Sequence, residues 1–347
     1  MMRTTHRGAA MLLVLMIAGC APALSPLRPT SAPAAVQLCD RSACSDSVQV
    51  TYLGVSGFLI RAGESALLTG PSFTHRSLFP IIFGLTIRSD TSLVDRRLAS
   101  TPLGDVSAIL IGHSHYDHLL DVPYIARTKA TRARILGSAT MAHILAGDSI
   151  LSRSGRVMAV TDSAGTAWTP GHWIYLDGGR LRVMPLASSH ARNWWYFTLA
   201  PGKAKSDYKH LPRTAWGWRM GEAYSYLIDV LAPDSTPRFR VFYQDAASQP
   251  EHVLLPPLAM RDRRDVDLAV VCIGNYGKVR SYPELLIAAQ HPRWVILGHW
   301  ENFFKGPFDS VAVVPRTNTE RLAAHLDAAQ GNRWTTPMPM TTMWFRY

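Results

Sequence analysis

Residues 109–121 read Ile-Leu-Ile-Gly-His-Ser-His-Tyr-Asp-His-Leu-Leu-Asp. An apolar run ends in a stretch of six residues that holds His113, His115, Asp117 and His118. Ordinary folding does not call for this pattern. Three imidazoles and a carboxylate crowded at one strand end compete for protons and solvation unless a cation holds them. The chain is therefore expected to bury the run at 108–111 as a strand and to open directly into a metal-binding turn.

The remaining strands repeat the device. Val48 to Leu53, Gly57 to Arg61 and Ser65 to Thr69 are short, apolar or β-branched and separated by turn residues, which predicts an antiparallel meander. Further strands are predicted over 134–136, 173–176, 181–186, 224–231, 238–243, 267–273 and 294–297. Helices are predicted from His118 to about Arg127, over 138–146 with Ser138 as N-cap, over 282–290 and over 319–329. Residues 70–105 form a long excursion with an apolar patch at 78–83. It reads either as a pocket wall or lid, or as an added element of the core. His113, His190, Asp245 and His299 each lie just past the C-terminal end of an apolar strand. Strand ends on one edge of a sheet sandwich can converge while lying far apart in sequence. His299 is preferred to His291, which precedes Pro292 at a helix end.

The first residues read as a targeting segment. Arg3 and Arg7 precede a short apolar stretch, and Ile17-Ala18-Gly19-Cys20 resembles a bacterial lipobox. The expected organisation is a signal peptide over 1–19, a lipidated Cys20 with a flexible tether over 20–47, and one domain over 48–347. The protein would then be an exported lipoprotein anchored to a membrane through Cys20. Export would permit a disulfide between Cys39 and Cys44, with two free thiols as the alternative. Cys272 sits in an apolar run and reads as a buried thiol. The net charge is +11, and removing Arg3 and Arg7 still leaves the chain basic. A basic surface suits anionic partners, but no Lys/Arg block or nucleic-acid motif is visible, so nucleic acid is not expected. The composition excludes fibrous and disordered classes.

His113-Ser114-His115-Tyr116-Asp117-His118 resembles the His-x-His-x-Asp-His signature of the metallo-β-lactamase superfamily, with His190, Asp245 and His299 following in the order of its other metal motifs. Over roughly residues 48–305 the chain is most similar to the branch of N-acyl-phosphatidylethanolamine phospholipase D and the ascorbate-phosphate lactonases. Tyr52-Leu53-Gly54, Gly70-Pro71-Ser72-Phe73, Ser189-His190-Ala191-Arg192, Thr214-Ala215-Trp216-Gly217-Trp218 and Gly298-His299-Trp300 carry that resemblance. It implies a four-layer αββα sandwich of two mixed β-sheets flanked by helices. Two departures stand out. Gly70 occupies the place of a family Asp that helps orient the metal loop, and Gln244-Asp245 replaces a Gly-Asp pair.

The resemblance and the donor chemistry together imply two divalent ions, zinc first, with manganese or iron also acceptable. His113, His115 and His190 would hold one ion; Asp117, His118 and His299 the other; Asp245, with two oxygens, would bridge them. Asp117 and Asp245 are thus the expected catalytic carboxylates, and a hydroxide shared by the ions the expected nucleophile. Arg192 is expected to clamp an anionic substrate, and the basic and aromatic residues over 193–222 suit a phosphorylated, partly apolar one. The expected reaction is hydrolysis of a phosphodiester, in a small molecule or a phospholipid. A lactone or other carboxylic ester is the alternative, as is a non-catalytic lipoprotein that binds metal and an anion or lipid.

Overall fold

Strands that are apolar on both faces must lie between covering layers, and this chain has several. The computed structural model describes residues 22–30, 46–192, 198–256, 264–305 and 311–347. In it, β2 (Ser47–Gly54), β3 (Gly57–Ala62) and β4 (Ser65–Thr69) form the expected meander. They are extended in parallel by β5 (Val106–Leu110), β6 (Arg134–Gly137) and β7 (Val157–Ala159), and β15 (Thr342–Arg346) closes the other edge. The result is a seven-stranded mixed sheet, ordered β15-β2-β3-β4-β5-β6-β7. The second sheet contains β8 (Ile174–Leu176), β9 (Leu181–Ser188), β10 (Ala223–Leu231), β11 (Pro237–Gln244), β12 (Leu268–Cys272), β13 (Trp294–Gly298) and β14 (Trp334–Pro337). With the short β1 (Pro29–Thr30) it has eight strands, ordered β1-β14-β13-β12-β11-β10-β9-β8.

Side-chain alternation places the layers. Phe58, Ile60, Leu67, Ala108 and Leu110 face inward and join Tyr226, Ile228, Val241 and Ile296 of the other sheet in one core. Their sequence neighbours Leu59, Leu68, Ile109 and Ile135 face outward, under helices that supply Val94, Ile125, Met141 and Ile144. The helices Glu284–Gln290 and Thr319–Gln330 contribute Leu286, Leu322 and Leu326 to the first cluster. This is the αββα arrangement of the metallo-β-lactamase fold, a period of two read out as two buried faces.

Two expectations change. The helix predicted from His118 to Arg127 is two helices, Tyr116–Leu119 and Val122–Thr128. Pro123 lacks an N–H and cannot continue the ladder from the first to the second. The tether is not continuous over 20–47. Ser25–Leu27 forms a 3-10 turn, Leu27 is fully buried, and β1 pairs in parallel with β14. Arg28 adds an ion pair to Asp327 at 2.7 Å. The burial of one leucine and an otherwise open sheet edge explain why this stretch docks. Cys20, Cys39 and Cys44 lie outside the described residues. The 70–105 excursion is both things it was expected to be. Its helix Thr91–Arg97 buries Val94 in the outer core, while its helix Leu78–Ile82 brings Leu78 and Ile81 to the wall of a cavity.

Candidate metal centre

Four loops leave the same edge of the sandwich. β5 leads through Ile111 and Gly112 to His113, and β9, β11 and β13 lead to His190, Asp245 and His299. The first sheet thus supplies His113, His115, Asp117 and His118, and the second supplies the other three. His115 enters the short helix Tyr116–Leu119 from its N-cap position, which turns Asp117 and His118 back toward the strand end. Ala191 N–H donates to Ala247 O at 2.9 Å, tying the His190 loop to the Asp245 loop. His299 adopts φ 53° and donates its N–H to Val55 O at 2.6 Å.

The seven side chains meet. His113, His115 and His190 present ligand atoms within 4.8 Å of one another; so do Asp117, His118 and His299, and so do His113, His118 and Asp245. Asp245 lies between the first two groups, with Oδ1 3.2 Å from His113 Nδ1 and Oδ2 3.3 Å from His118 Nδ1. Asp117 Oδ2 stands 3.5 Å from His118 Nε2 and 3.4 Å from His299 Nε2. His291, the weaker alternative, instead caps the helix Glu284–Gln290 in the left-handed region.

Each imidazole has one nitrogen accounted for. His115 Nε2–H donates to Leu199 O at 2.7 Å, and His190 Nδ1–H to Ala191 O at 2.5 Å. A carbonyl only accepts, so the opposite nitrogen of each ring carries the lone pair. Burial, then the neighbouring His113, pushes His190 down to about 3 and His115 well below the usual imidazole range. Burial and His113 lower His118 as well. These donors are neutral at ordinary pH. The carboxylates go the other way. Burial alone would raise Asp117 and Asp245, but the surrounding histidines outweigh it and hold both far below the ordinary range.

The donor set fits a pair of divalent cations. Two ionised carboxylates share one buried pocket, an arrangement that is costly without positive charge. His113 Nε2, His118 Nε2 and His299 Nδ1 are buried with no hydrogen-bond partner among the described residues. Neutral imidazole and carboxylate donors with free lone pairs are what a zinc-type ion takes.

The outer contacts explain Gly70. Ser56 Oγ lies 2.6 Å from His118 Nδ1 and 3.3 Å from Gly70 O. The hydroxyl donates to the carbonyl and accepts from Nδ1–H, leaving His118 Nε2 for the metal. Ser56 thus orients the ring, with its hydroxyl held on the Gly70 carbonyl. Sequence reasoning did not single out Ser56, because nothing local marks it. Ser56→Ala is expected to weaken metal affinity by about 10–100-fold, the usual range for an outer contact. A chelator competition titration measures this, and an unchanged affinity would remove Ser56 from the role. Two further carboxylates brace the loops. Asp121 accepts from Phe73 N, Thr74 N, Thr74 Oγ1 and Ser89 Oγ, and Glu301 accepts from Val55 N and Tyr52 OH.

The centre opens into a cavity of about 330 Å³. Leu78, Ile81, Leu199, Phe303 and Phe304 make one wall, and Tyr276, Lys278, Arg316 and Thr317 another. Cys272 also lines it, and burial, then Asp245, pushes its thiol up, so it stays protonated. Arg192 is exposed and is not among the described residues that line the cavity, and Ala191 before it is buried. In the basic and aromatic stretch, Trp218 is a core residue and Lys203 pairs with Glu222 at 3.0 Å, while Trp194 and Trp195 lie outside the described residues.

Residues 84–244 match the family model of the beta-lactamase superfamily domain. That span includes His113 to His190 and stops one residue before Asp245. Among solved structures, the chain is similar to a metallo hydrolase of the hyperthermophilic archaeon Ignicoccus hospitalis, at 13% identity and TM-score 0.49, covering 87% of this chain and 99% of that one. It is similar to the metallo-beta-lactamase fold protein YhfI of Bacillus subtilis, at 13% identity and TM-score 0.48, covering 86% and 100%. It is also similar to an isothiocyanate hydrolase from Delia radicum gut bacteria, at 13% identity and TM-score 0.49, covering 86% and 100%. No curated protein matches it in sequence.

Proposed function

We propose that this chain, whose residues 84–244 match the beta-lactamase superfamily domain, belongs to the metallo-β-lactamase superfamily and is a binuclear metal-dependent hydrolase of a phosphodiester. The observation that carries the reading is the convergence of seven donor side chains, five of which (His115, Asp117, His190, Asp245 and His299) line one cavity, with imidazole nitrogens that are unpartnered among the described residues. His113, His115 and His190 would hold one ion, Asp117, His118 and His299 a second, with Asp245 between them. When bound, such ions supply Lewis acidity and acidify a water toward ~7.

The protein's own groups do the rest. Asp117 and Asp245 remain ionised through the cycle because their histidine neighbours hold their protons off. Leu199 O and Ala191 O keep His115 and His190 in single tautomers. Tyr116 lines the cavity, and its buried hydroxyl has no partner among the described residues. Burial, then Asp117, raises its pKa well above the usual value, so it stays protonated and can donate to an oxygen that gains charge. The apolar wall keeps bulk water from the reacting bond.

An apolar wall beside an anion-tolerant floor suits a phospholipid or another amphiphilic phosphodiester. The lipobox-like segment supports a protein exported and anchored by Cys20, which would keep it near such substrates. Zinc suits the imidazole-rich donors best, with manganese or iron acceptable. The test is metal quantification on the mature protein, coupled to assays on a phosphodiester, a lactone and a neutral carboxylic ester, with and without chelator. About two ions per chain and chelator-sensitive phosphodiester turnover are expected. Turnover of only the lactone or ester would replace the substrate assignment. Bound metal with no turnover would leave a binding protein.

A further inference from the structure

The cavity has two unlike sides, and one of them has no part in holding the metals. After β12, Gly274 packs with the site of its absent Cβ 3.5 Å from the His299 ring. Asn275 takes φ 60°, and the 3-10 turn Tyr276–Lys278 carries Lys278 along the cavity wall. Arg316 reaches the same wall from the segment before the helix Thr319–Gln330. The two segments are fastened together, since Tyr276 OH donates to Asn318 O at 2.6 Å. The second is also anchored to the sheet end through Val314 N–H to Trp300 O at 2.8 Å, and Thr317 Oγ1 donates to Val314 O at 2.9 Å within it. These are braced turns, not loose surface arms.

Two cations, each exposed to solvent, therefore line one cavity. Both also keep another partner within the fold. Burial, then Arg316, lowers the Lys278 pKa, which places the two charges within electrostatic reach of each other. Among the described residues, the carboxylates on the cavity wall are Asp117 and Asp245, which belong to the metal centre. Gly277 and Lys278 continue into an open groove of about 520 Å³ that also holds Arg280, Arg321 and one carboxylate, Glu284. A net positive charge along a path into a cavity raises the local concentration of anions. A planar guanidinium beside an ammonium is a pairing suited to an oxyanion.

We propose that Lys278 and Arg316 form an oxyanion-binding subsite, and that the substrate carries a phosphate or carboxylate group there, apart from the bond that is cleaved. Its apolar part lies against Leu78, Ile81, Phe303 and Phe304. This rests on the reading of the cavity as the substrate site, but not on which bond breaks.

The experiment measures binding, so it does not depend on turnover. Phenyl phosphate, benzoate and benzyl alcohol are titrated calorimetrically into the chelator-treated mature protein, its Lys278→Ala, Arg316→Ala and Lys278→Arg variants, and Lys203→Ala as a surface control. One or both anions are expected to bind, with benzyl alcohol weaker by tenfold or more. Their relative affinities distinguish a phosphate from a carboxylate ligand. Each alanine variant is expected to weaken anion binding roughly tenfold, as for loss of one charged hydrogen bond. Lys278→Arg should stay within about threefold of the parent, and Lys203→Ala should not differ from it. No anion binding, equal binding of benzyl alcohol, or alanine variants that bind like the parent would overturn the subsite. Intact, Lys278- and Arg316-dependent binding without phosphodiester turnover would overturn the reaction assignment and leave the subsite standing.

Discussion

Asp245→Ala is expected to yield a folded protein that holds at most one metal ion and turns over substrate more than roughly a hundredfold slower, beyond the usual effect of an outer contact. The reason is position. Asp245 approaches His113 through one oxygen and His118 through the other, at 3.2 and 3.3 Å, so it is the one carboxylate that spans both ligand groups. Alanine removes both contacts and one of the two charges that offset a cation pair. The fold itself has little to lose. Asp245 follows β11 in a loop, and in metal-free protein it is a buried anion near a second one, Asp117. The metal-free variant should therefore melt no lower than the metal-free parent, while the rise in Tm on adding zinc should shrink, because a ligand stabilises only through its affinity for the folded state. Metal content by mass spectrometry and melting curves with and without zinc separate the two effects. Two ions per chain and parental turnover in this variant would remove Asp245 from the centre.

What could be read in advance, and what could not, divides by distance along the chain. The His-Ser-His-Tyr-Asp-His turn was legible because its donors lie within one strand end and one helical turn. His190, Asp245 and His299 were legible because each follows an apolar strand, and the fold brings those strand ends to one edge. β1 and β14 escaped notice for the opposite reason. β1 is two residues long, and its partner Trp334–Pro337 mixes threonine and proline instead of showing an apolar run. Ser56 was invisible because its role exists only opposite His118, and the close approach of Gly70 to the His118 backbone is seen only when the fold is in place. Lys278 and Arg316 carry no local signal, because each lines the cavity from a turn remote in sequence from His190 and its neighbour Arg192.

Gly112→Ala should be nearly as damaging as removing a ligand, although glycine and alanine differ by one methyl group. A Cβ at Gly112 would lie 2.2 Å from the Asp245 carboxyl carbon and both its oxygens. No van der Waals contact is that short, so something must move. Gly112 itself is held, since Tyr224 N–H donates to its carbonyl at 2.7 Å and Ile111 N–H is bound to Leu136 O at 2.8 Å on the other side. Its backbone does not lie in the left-handed region, so alanine meets no conformational objection there. The element that can give way is the Asp245 side chain, by rotating away from His113 and His118. The variant is thus expected to fold, to lose one or both ions, and to lose roughly a hundredfold in turnover, a displacement cost of the kind a misplaced catalytic group incurs. Far-ultraviolet circular dichroism tests the first expectation and metal counting the second. A serine at the same position carries the same Cβ and should behave alike, whereas Gly104→Ala, with nothing within 4 Å of its Cβ, should match the parent. Retention of two ions in Gly112→Ala would mean that the β5 end yields more readily than Asp245 turns, and that the close approach is not what holds the carboxylate in place.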